Sequence, residues 1–481
     1  MRRNQVFDRI QSLSKEDIEK IHDGSMEILL KVGVQFEDEN TLGVFKSHGF
    51  KIDGKKVFFT EKNILNAIEA SPPEFTINAR DPDKNITVGL NNPVFAPGYG
   101  APFITEIDGS RRNARMEDYN RLCKIVHTSK YLDCNGFMMV EPSDVSAKIV
   151  HLDMLYSSIT LSDRVFMGCP TSPECADDSI KMAEIIYGDI RNKPVMISLI
   201  NSLSPLKYSR EMSGALMRFA EYGQPCIIAP LIMGGASGPI KIAGILTLQN
   251  AEILAGITLA QLIRRGTPVV YGSASSITDM RSGRLSVGAP EHLQIISATS
   301  QIARYYNIPS RAGGAVTDAH IPDMQAGMES ALSLYTAAHN GISFILHSAG
   351  ILTSYLSMSF EKFLIDEALC GKIKKILNPI EINEESLSID IIKEVGIGGE
   401  FLSHPKTFEL CRSEYHSSNI MFADSFEGWS AKGRKRLEEF VHETLKERLS
   451  MYEKPPIDEG VENELKGFIE RRKKDYLDNI S

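Results

Sequence analysis

Residues 264–273 read RRGTPVVYGS. Each part of this stretch has a physical role. Gly266 can close a preceding helix in the left-handed conformation that other residues adopt only at a cost. Pro268, at the first position of a strand, has no ladder donor to lose. Val269 and Val270 favour a pleated backbone. The device returns as RNKP before Val195, EYGQP before Cys226 and YYNIP before Ser310. Such repetition points to one supersecondary unit used again and again.

Working outward, eight short apolar runs share this character: PVFAPG (93–98), CNGFMMV (134–140), RVFMGC (164–169), PVMISLIN (194–201), PCIIAPLI (225–232), TPVVYGS (267–273), SRAGGAV (310–316) and ISFILHS (342–348). They lack polar alternation, as strands buried on both faces do. Between them lie helical stretches, from EDYNRLCKIVHTS to MQAGMESALSLYTAAHNG, with apolar residues at i, i+3 and i+4. Strand and helix in alternation imply a parallel sheet with right-handed crossovers. Eight units within about 250 residues favour a closed (β/α)8 TIM barrel over a doubly wound open sheet. The expected organisation is an N-terminal α+β region over 1–92, with a hairpin turning on Asp53-Gly54. The barrel follows over 93–378, then a charged helical extension over 379–481, on the barrel's outside or in a subunit contact.

The chain has 481 residues and a net charge of −9. No basic stripe interrupts that balance, which argues against a nucleic-acid partner. The clusters GRKR (433–436) and RRKK (471–474) stand among acidic residues and read as solvated helix faces. Seven scattered cysteines form no CxxC, and no uninterrupted apolar run approaches the ~18 residues of a membrane span. The start, MRRNQVFDRIQSLSKED, is basic but no apolar run follows it. A cytoplasmic protein with reduced thiols is expected.

In a β/α barrel the site forms where the strands end. Residues just past the runs are rich in glycine, aromatics, amides and hydroxyls and poor in acid/base pairs. His347 ends the eighth run and is the candidate catalytic residue; a buried histidine bonded to backbone is the other reading. Tyr99, Phe103, Phe137 and Tyr271 are candidates for an aromatic cage around a cation that cannot donate hydrogen bonds, or else barrel packing. Asn201, Gly314, Thr317 and Asp318 complete the candidate substrate-binding rim, although Asp318 serves equally well as a helix cap. Arg311 suits a substrate carboxylate, but its place at a strand start favours pairing at the lower end. Cys169 with His347 or His320 is a conceivable zinc set, at a spacing that matches no known ligand pattern. GASG (235–238) precedes a helix without the further Gly and Lys of a phosphate loop.

Several stretches together resemble the trimethylamine methyltransferase (MttB-like) family: IHDGSMEILLKVGVQFED, SPPEFTINARDPD, GYGAPFITEIDGSRR, PLIMGGASGPI, GGAVTDAHIPDMQAGMES, FILHSAGIL, EFLSHPKTFELCRSEY and MYEKPPIDEGVENEL. The likeness runs through the whole chain in the same order. The resemblance implies a β/α barrel that takes a methyl group from a methylated amine and passes it to the Co(I) of a separate corrinoid protein docked over the mouth. It also implies a homo-oligomer and no tightly bound cofactor or metal. The founding branch carries pyrrolysine and uses trimethylamine. Here the region around GGAVTDA holds only standard residues, which points to the branch acting on quaternary amines: glycine betaine first, then proline betaine, carnitine or γ-butyrobetaine. A quaternary nitrogen already carries its charge and leaves without protonation, which suits a rim poor in acid/base pairs. The competing readings are a zinc-dependent methyltransferase and a barrel that binds a betaine without turnover.

Overall fold

The computed structural model describes residues 9–90, 92–418 and 420–478. The first eight residues of the basic start, part of the expected N-terminal region, lie outside the described residues. Eight parallel strand positions close into a barrel. They are β1 (Val94–Phe95), β2 (a bridge at Cys134), β3 (Phe166–Met167), β4 (Met196–Ile200), β5 (Cys226–Ile228), β6 (Val269–Gly272), β7 (Ser310–Gly313) and β8 (Phe344–Leu346). Seven form one sheet in the order β1-β8-β7-β6-β5-β4-β3. The ring closes through β2. The Asp133 N–H donates to the Phe95 carbonyl (2.8 Å) and the Asn135 N–H to the Val165 carbonyl (2.7 Å).

The proline-led entries behave as their chemistry requires. Pro225, Pro268 and Pro309 donate nothing, yet their carbonyls accept from Ser198, Cys226 and Tyr271 of the neighbouring strands at 2.8–3.1 Å. Gly223, Gly266 and Asn307, which end the helices before them, all have positive φ. The second run departs from expectation. Within the barrel CNGFMMV contributes a single bridge, at Cys134, while its last residue, Val140, bridges Ala101 past β1. The Asp133 carboxylate accepts the Phe95 N–H (2.9 Å) where a strand carbonyl would otherwise serve, and the chain then leaves the sheet.

Eight helices alternate with the strands: α1 (Met116–His127), α2 (Val150–Thr160), α3 (Pro173–Tyr187), α4 (Arg210–Glu221), α5 (Ile242–Ile263), α6 (Pro290–Tyr305), α7 (Met324–His339) and α8 (Phe360–Leu377). Helix α5 is long and apolar enough to cross a membrane by length and composition, but most of it is buried inside the chain. Two N-terminal helices, Lys15–Lys31 and Glu61–Ala70, pack on it. A strand at Val34–Phe36 runs parallel to Lys207–Tyr208, past β4. There Phe36 stacks on Tyr208 with ring centroids 5.1 Å apart. The last helix, Glu459–Asp478, lies on α2 and α3.

The loops past the strands carry small sheets of their own. Phe103–Thr105 pairs with Arg111–Asn113 and, in parallel, with Ser357–Met358 beyond β8. Ser276–Asp279 pairs with Arg284–Ser286 and with Met233–Gly234. These two sheets stand over the C-terminal end of the barrel and position the site.

Candidate functional site

His347 follows β8 directly, with φ of 60°. Its backbone N–H donates to the Pro97 carbonyl (3.1 Å), and its Nδ1 accepts the N–H of Tyr99 (3.1 Å). An accepting Nδ1 puts the ring proton on Nε2. Burial holds this imidazole well below the usual histidine range, and the charges of Arg311 and His292 add to that. His347 is therefore a neutral N–H donor at physiological pH. The ring of Tyr355 lies 4.5 Å from it, centroid to centroid.

Arg311 is 1 % exposed. Its Nη1 donates to the Ser273 carbonyl, beyond the end of β6, while its Nε finds no partner. No carboxylate pairs with Arg311 among the described residues. Burial pulls its guanidinium down to about 10, against which Tyr355 and Tyr99 act to raise it, so the cation persists at neutral pH. Sequence position favoured pairing at the lower end of the strand. The side chain instead reaches the upper end, where Nη1 meets the Ser273 carbonyl, and no carboxylate pairs with it lower down among the described residues.

His292, in the first turn of α6, is fully buried, with Nδ1 3.1 Å from the Ser275 carbonyl and Nε2 unpartnered. Burial pushes it down to about 4, with Arg311 adding to the effect. The Tyr355 hydroxyl is also without a partner. A Cβ on Gly313 would lie 3.5 Å from both His292 Nε2 and the Tyr355 oxygen, so the bare glycine keeps the space between them open. Tyr99 is half-buried, with Arg311, Glu141 and the Cys169 thiol as neighbours, and burial pushes its phenol up. Asn201, at the end of β4, keeps a buried Oδ1 without a partner. Three open cavities lie elsewhere: one of about 650 Å³ beside the strand starts, at Val94, Asp133 and Gly341, and two of about 700 and 590 Å³ against the C-terminal extension.

A family model described as trimethylamine methyltransferase matches residues 2–476. The chain belongs to that family. It is 43% identical to a glycine betaine methyltransferase of Desulfitobacterium hafniense, over 98% of this chain and 99% of the relative. It is 33% identical to a proline betaine:corrinoid methyltransferase of Eubacterium limosum, over 81% and 83%. To the trimethylamine methyltransferase MttB of Methanosarcina barkeri it is 28% identical, over 96% and 95%. The crystal structure of the Methanosarcina barkeri monomethylamine methyltransferase superposes with a TM-score of 0.52 at 13% identity, over 92% of this chain and 88% of that one, which shows the barrel fold.

The chain is thus a methyltransferase, and its mouth gathers Tyr99, His292, Arg311, His347 and Tyr355. The remaining candidates have other surroundings. Tyr271 is fully buried and turns outward, its hydroxyl donating to Asn250 of α5 (3.0 Å). Phe137 is fully buried. Phe103 lies half-buried in a mouth hairpin with the Arg111 guanidinium 4.2 Å over its ring, so one face is already covered by a cation. A Cβ on Gly314 would meet the Ser348 backbone at 2.9 Å, so its bareness serves close packing of loops. Thr317 donates to Glu329 (2.5 Å). Asp318 caps no helix; Asp323 does that for α7. Its carboxylate accepts from Ser286 (2.5 Å), the Val287 N–H (2.8 Å) and Ser354 (2.6 Å), tying the loops past β6, β7 and β8 together one residue before Tyr355. Cys169 keeps company with Thr171 and Cys175, and His320 with Thr353; neither joins His347.

Tyr355 and His292 were missed by a reading confined to residues immediately after each run. Tyr355 stands eight places past His347, and His292 enters from a helix start. The arrangement pairs an unneutralised buried cation with a neutral N–H donor and tyrosine rings. Such a set can hold a small anion and lay an apolar or cationic group against aromatic faces.

Proposed function

We propose that this methyltransferase takes its methyl group from a small quaternary amine bearing a carboxylate, glycine betaine first, and delivers it to a corrinoid carried by a separate protein. The observation that carries this reading is Arg311: a buried guanidinium with an unpartnered Nε–H and no carboxylate partner among the described residues. An unpaired buried charge costs several kcal/mol. A substrate carboxylate supplies the missing counter-ion, which a simple methylamine lacks. The relatives named for glycine betaine and proline betaine support the same class.

In this reading Arg311 and the Nε2–H of His347 hold the carboxylate. His347 does so as a neutral donor because burial opposes its protonation, with Arg311 adding to the effect. The rings of Tyr99 and Tyr355 flank the ammonium group, whose charge favours aromatic faces. No proton is delivered to the leaving amine, because the quaternary nitrogen departs as a neutral tertiary amine. These side chains act by orienting the N–CH₃ bond toward the mouth and excluding water.

The rim fits a docked partner. Six residues of the loops and helix starts around it are exposed and apolar: Leu203, Ile240, Met280, Ile321, Met324 and Leu356, with Met324 at 93 % and Ile240 and Met280 at 67 %. Exposed apolar patches of this kind mark interaction sites. When the partner is docked, its corrinoid supplies the methyl acceptor. The experiment is to mix the enzyme, its Co(I) corrinoid partner and each betaine and to follow the visible spectrum. Conversion to the methylated corrinoid with glycine betaine is expected; no conversion with any betaine would overturn the reading.

A further inference from the structure

Beside the mouth, β3, α2 and α3 bring together two thiols, an imidazole and a carboxylate that substrate binding does not use. Cys169, just past β3, is fully buried, its N–H donating to Ser179 Oγ (3.0 Å) and its Sγ 3.0 Å from Thr171 Oγ1. Cys175, in the first turn of the 15-residue α3, is half-buried, its N–H donating to Ser172 Oγ (3.1 Å). Ser179 joins the two cysteines: its Oγ accepts the Cys169 N–H and donates to the Cys175 carbonyl (2.9 Å). The two thiols and the imidazole of His151, in α2, act on one another electrostatically. His151 is 3 % exposed; its Nδ1 finds no hydrogen-bond partner, and its Nε2 lies 3.0 Å from Asp178 Oδ2. Asp178 is itself held by Arg472 Nε (2.6 Å) and the Tyr476 hydroxyl (2.8 Å) of the last helix.

The cluster sets an imidazole–carboxylate pair beside two neighbouring thiols, with Cys175 at the N-terminus of α3, where a thiolate is favoured. Cys169 pulls the Cys175 thiol down, burial opposes it, and His151 pulls it down further. For His151, burial acts to lower the imidazole, but Asp178 and Cys175 outweigh it and leave it raised. The pair is thus poised as thiolate and imidazolium. Burial pushes the thiols of Cys123, Cys134, Cys226 and Cys370 up and makes them inert.

We propose that Cys175 is an oxidation site for small peroxides, resolved by Cys169 into an intramolecular disulfide beside the barrel mouth. The Cys175 thiolate attacks one peroxide oxygen, the O–O bond breaks, and hydroxide or alkoxide leaves, giving the sulfenic acid. Cys169 sulfur then attacks Cys175 sulfur; the S–S bond forms, the S–O bond breaks, and water leaves carrying the Cys169 proton. The two thiols supply the two electrons that reduce the peroxide. Oxidation removes the contact of Cys169 with Thr171, close to Tyr99.

The test uses the full-length reduced enzyme and hydrogen peroxide, followed by alkylation and peptide mass spectrometry. Both cysteines fall in the tryptic peptide 165–181. The expected product is that peptide lacking two hydrogens, refractory to alkylation and restored by dithiothreitol. Cys175 should oxidise at least ~10-fold faster than the exposed Cys411, as a thiolate outpaces a thiol. His151→Asn should slow Cys175 without changing Cys411, and Cys169→Ser should leave a sulfenic acid at Cys175 that dimedone traps. Equal rates at Cys175 and Cys411, or oxidation of Cys175 without the link to Cys169, would overturn the proposal. None of these readouts depends on which methyl donor the enzyme uses.

Discussion

Arg311 is a cation buried among neutral groups, and most of the site's specificity is assigned to it. If it meets the substrate carboxylate, truncation leaves that carboxylate buried without its partner, a loss of about 3 kcal/mol. Arg311→Ala is therefore expected to raise KM for glycine betaine by ~100-fold. Steady-state kinetics checks this, and an unchanged KM would place the carboxylate elsewhere. His347→Ala should lower kcat/KM at least ~10-fold, about 1.4 kcal/mol of transition-state stabilisation; the same assay gives the answer. His347 and Arg311 were legible in the sequence because a strand fixes where its own residues emerge. Which way Arg311 reaches was not legible, since that depends on whether a carboxylate lies below. The outward turn of Tyr271 was also hidden. A two-residue period assigns alternate faces but not which face is inward when both are apolar. Tyr355 and His292 enter from a left-handed loop and a helix start, which no strand-end rule reaches.

At the level of elements, the proline-led strands were readable because the missing N–H and the left-handed helix end are local chemistry. The second strand was not: Asp133 substitutes a side-chain carboxylate for a ladder carbonyl, and the run CNGFMMV looks no different for it. The small sheets over the mouth escaped as well, because strands of two to four residues leave no periodic signal. Those loops carry the apolar rim. Met324→Asp puts a charge where the proposed partner loses water, and its KM for the corrinoid protein is expected to rise ~10-fold while KM for the amine stays the same. Titrating the corrinoid protein at saturating amine measures this.

For the whole molecule, buried neutral histidines couple the mouth to folding. His292 is held at about 4 by burial, and His347 lies well below its usual range. In the unfolded chain both take up a proton near pH 6.5. Below that pH the unfolded state binds more protons, so their contribution to stability is full above about 6.5 and falls as acid is added, for His292 down to its folded value. At pH 5.5 His292 costs about 1.4 kcal/mol relative to neutral pH. Denaturant unfolding at pH 7.5 and 5.5 should show a smaller loss for His292→Gln than for the unaltered protein. Equal losses would mean that His292 takes up its proton while folded.

The barrel was the most legible feature of the chain, because eight repeats of one unit leave little other topology to choose. The proposed function rests on a charge that only the folded state reveals. The most direct measurement compares two methyl donors that share a trimethylammonium group, glycine betaine with its carboxylate and choline with a hydroxyl in its place. Each is mixed with enzyme and the Co(I) corrinoid protein, and the rate of methyl-corrinoid formation is read from the spectrum. The account predicts rapid conversion with glycine betaine and at least ~100-fold lower kcat/KM with choline, the discrimination of a site built around a buried cation. Equal rates, or no conversion with any betaine, would contradict it.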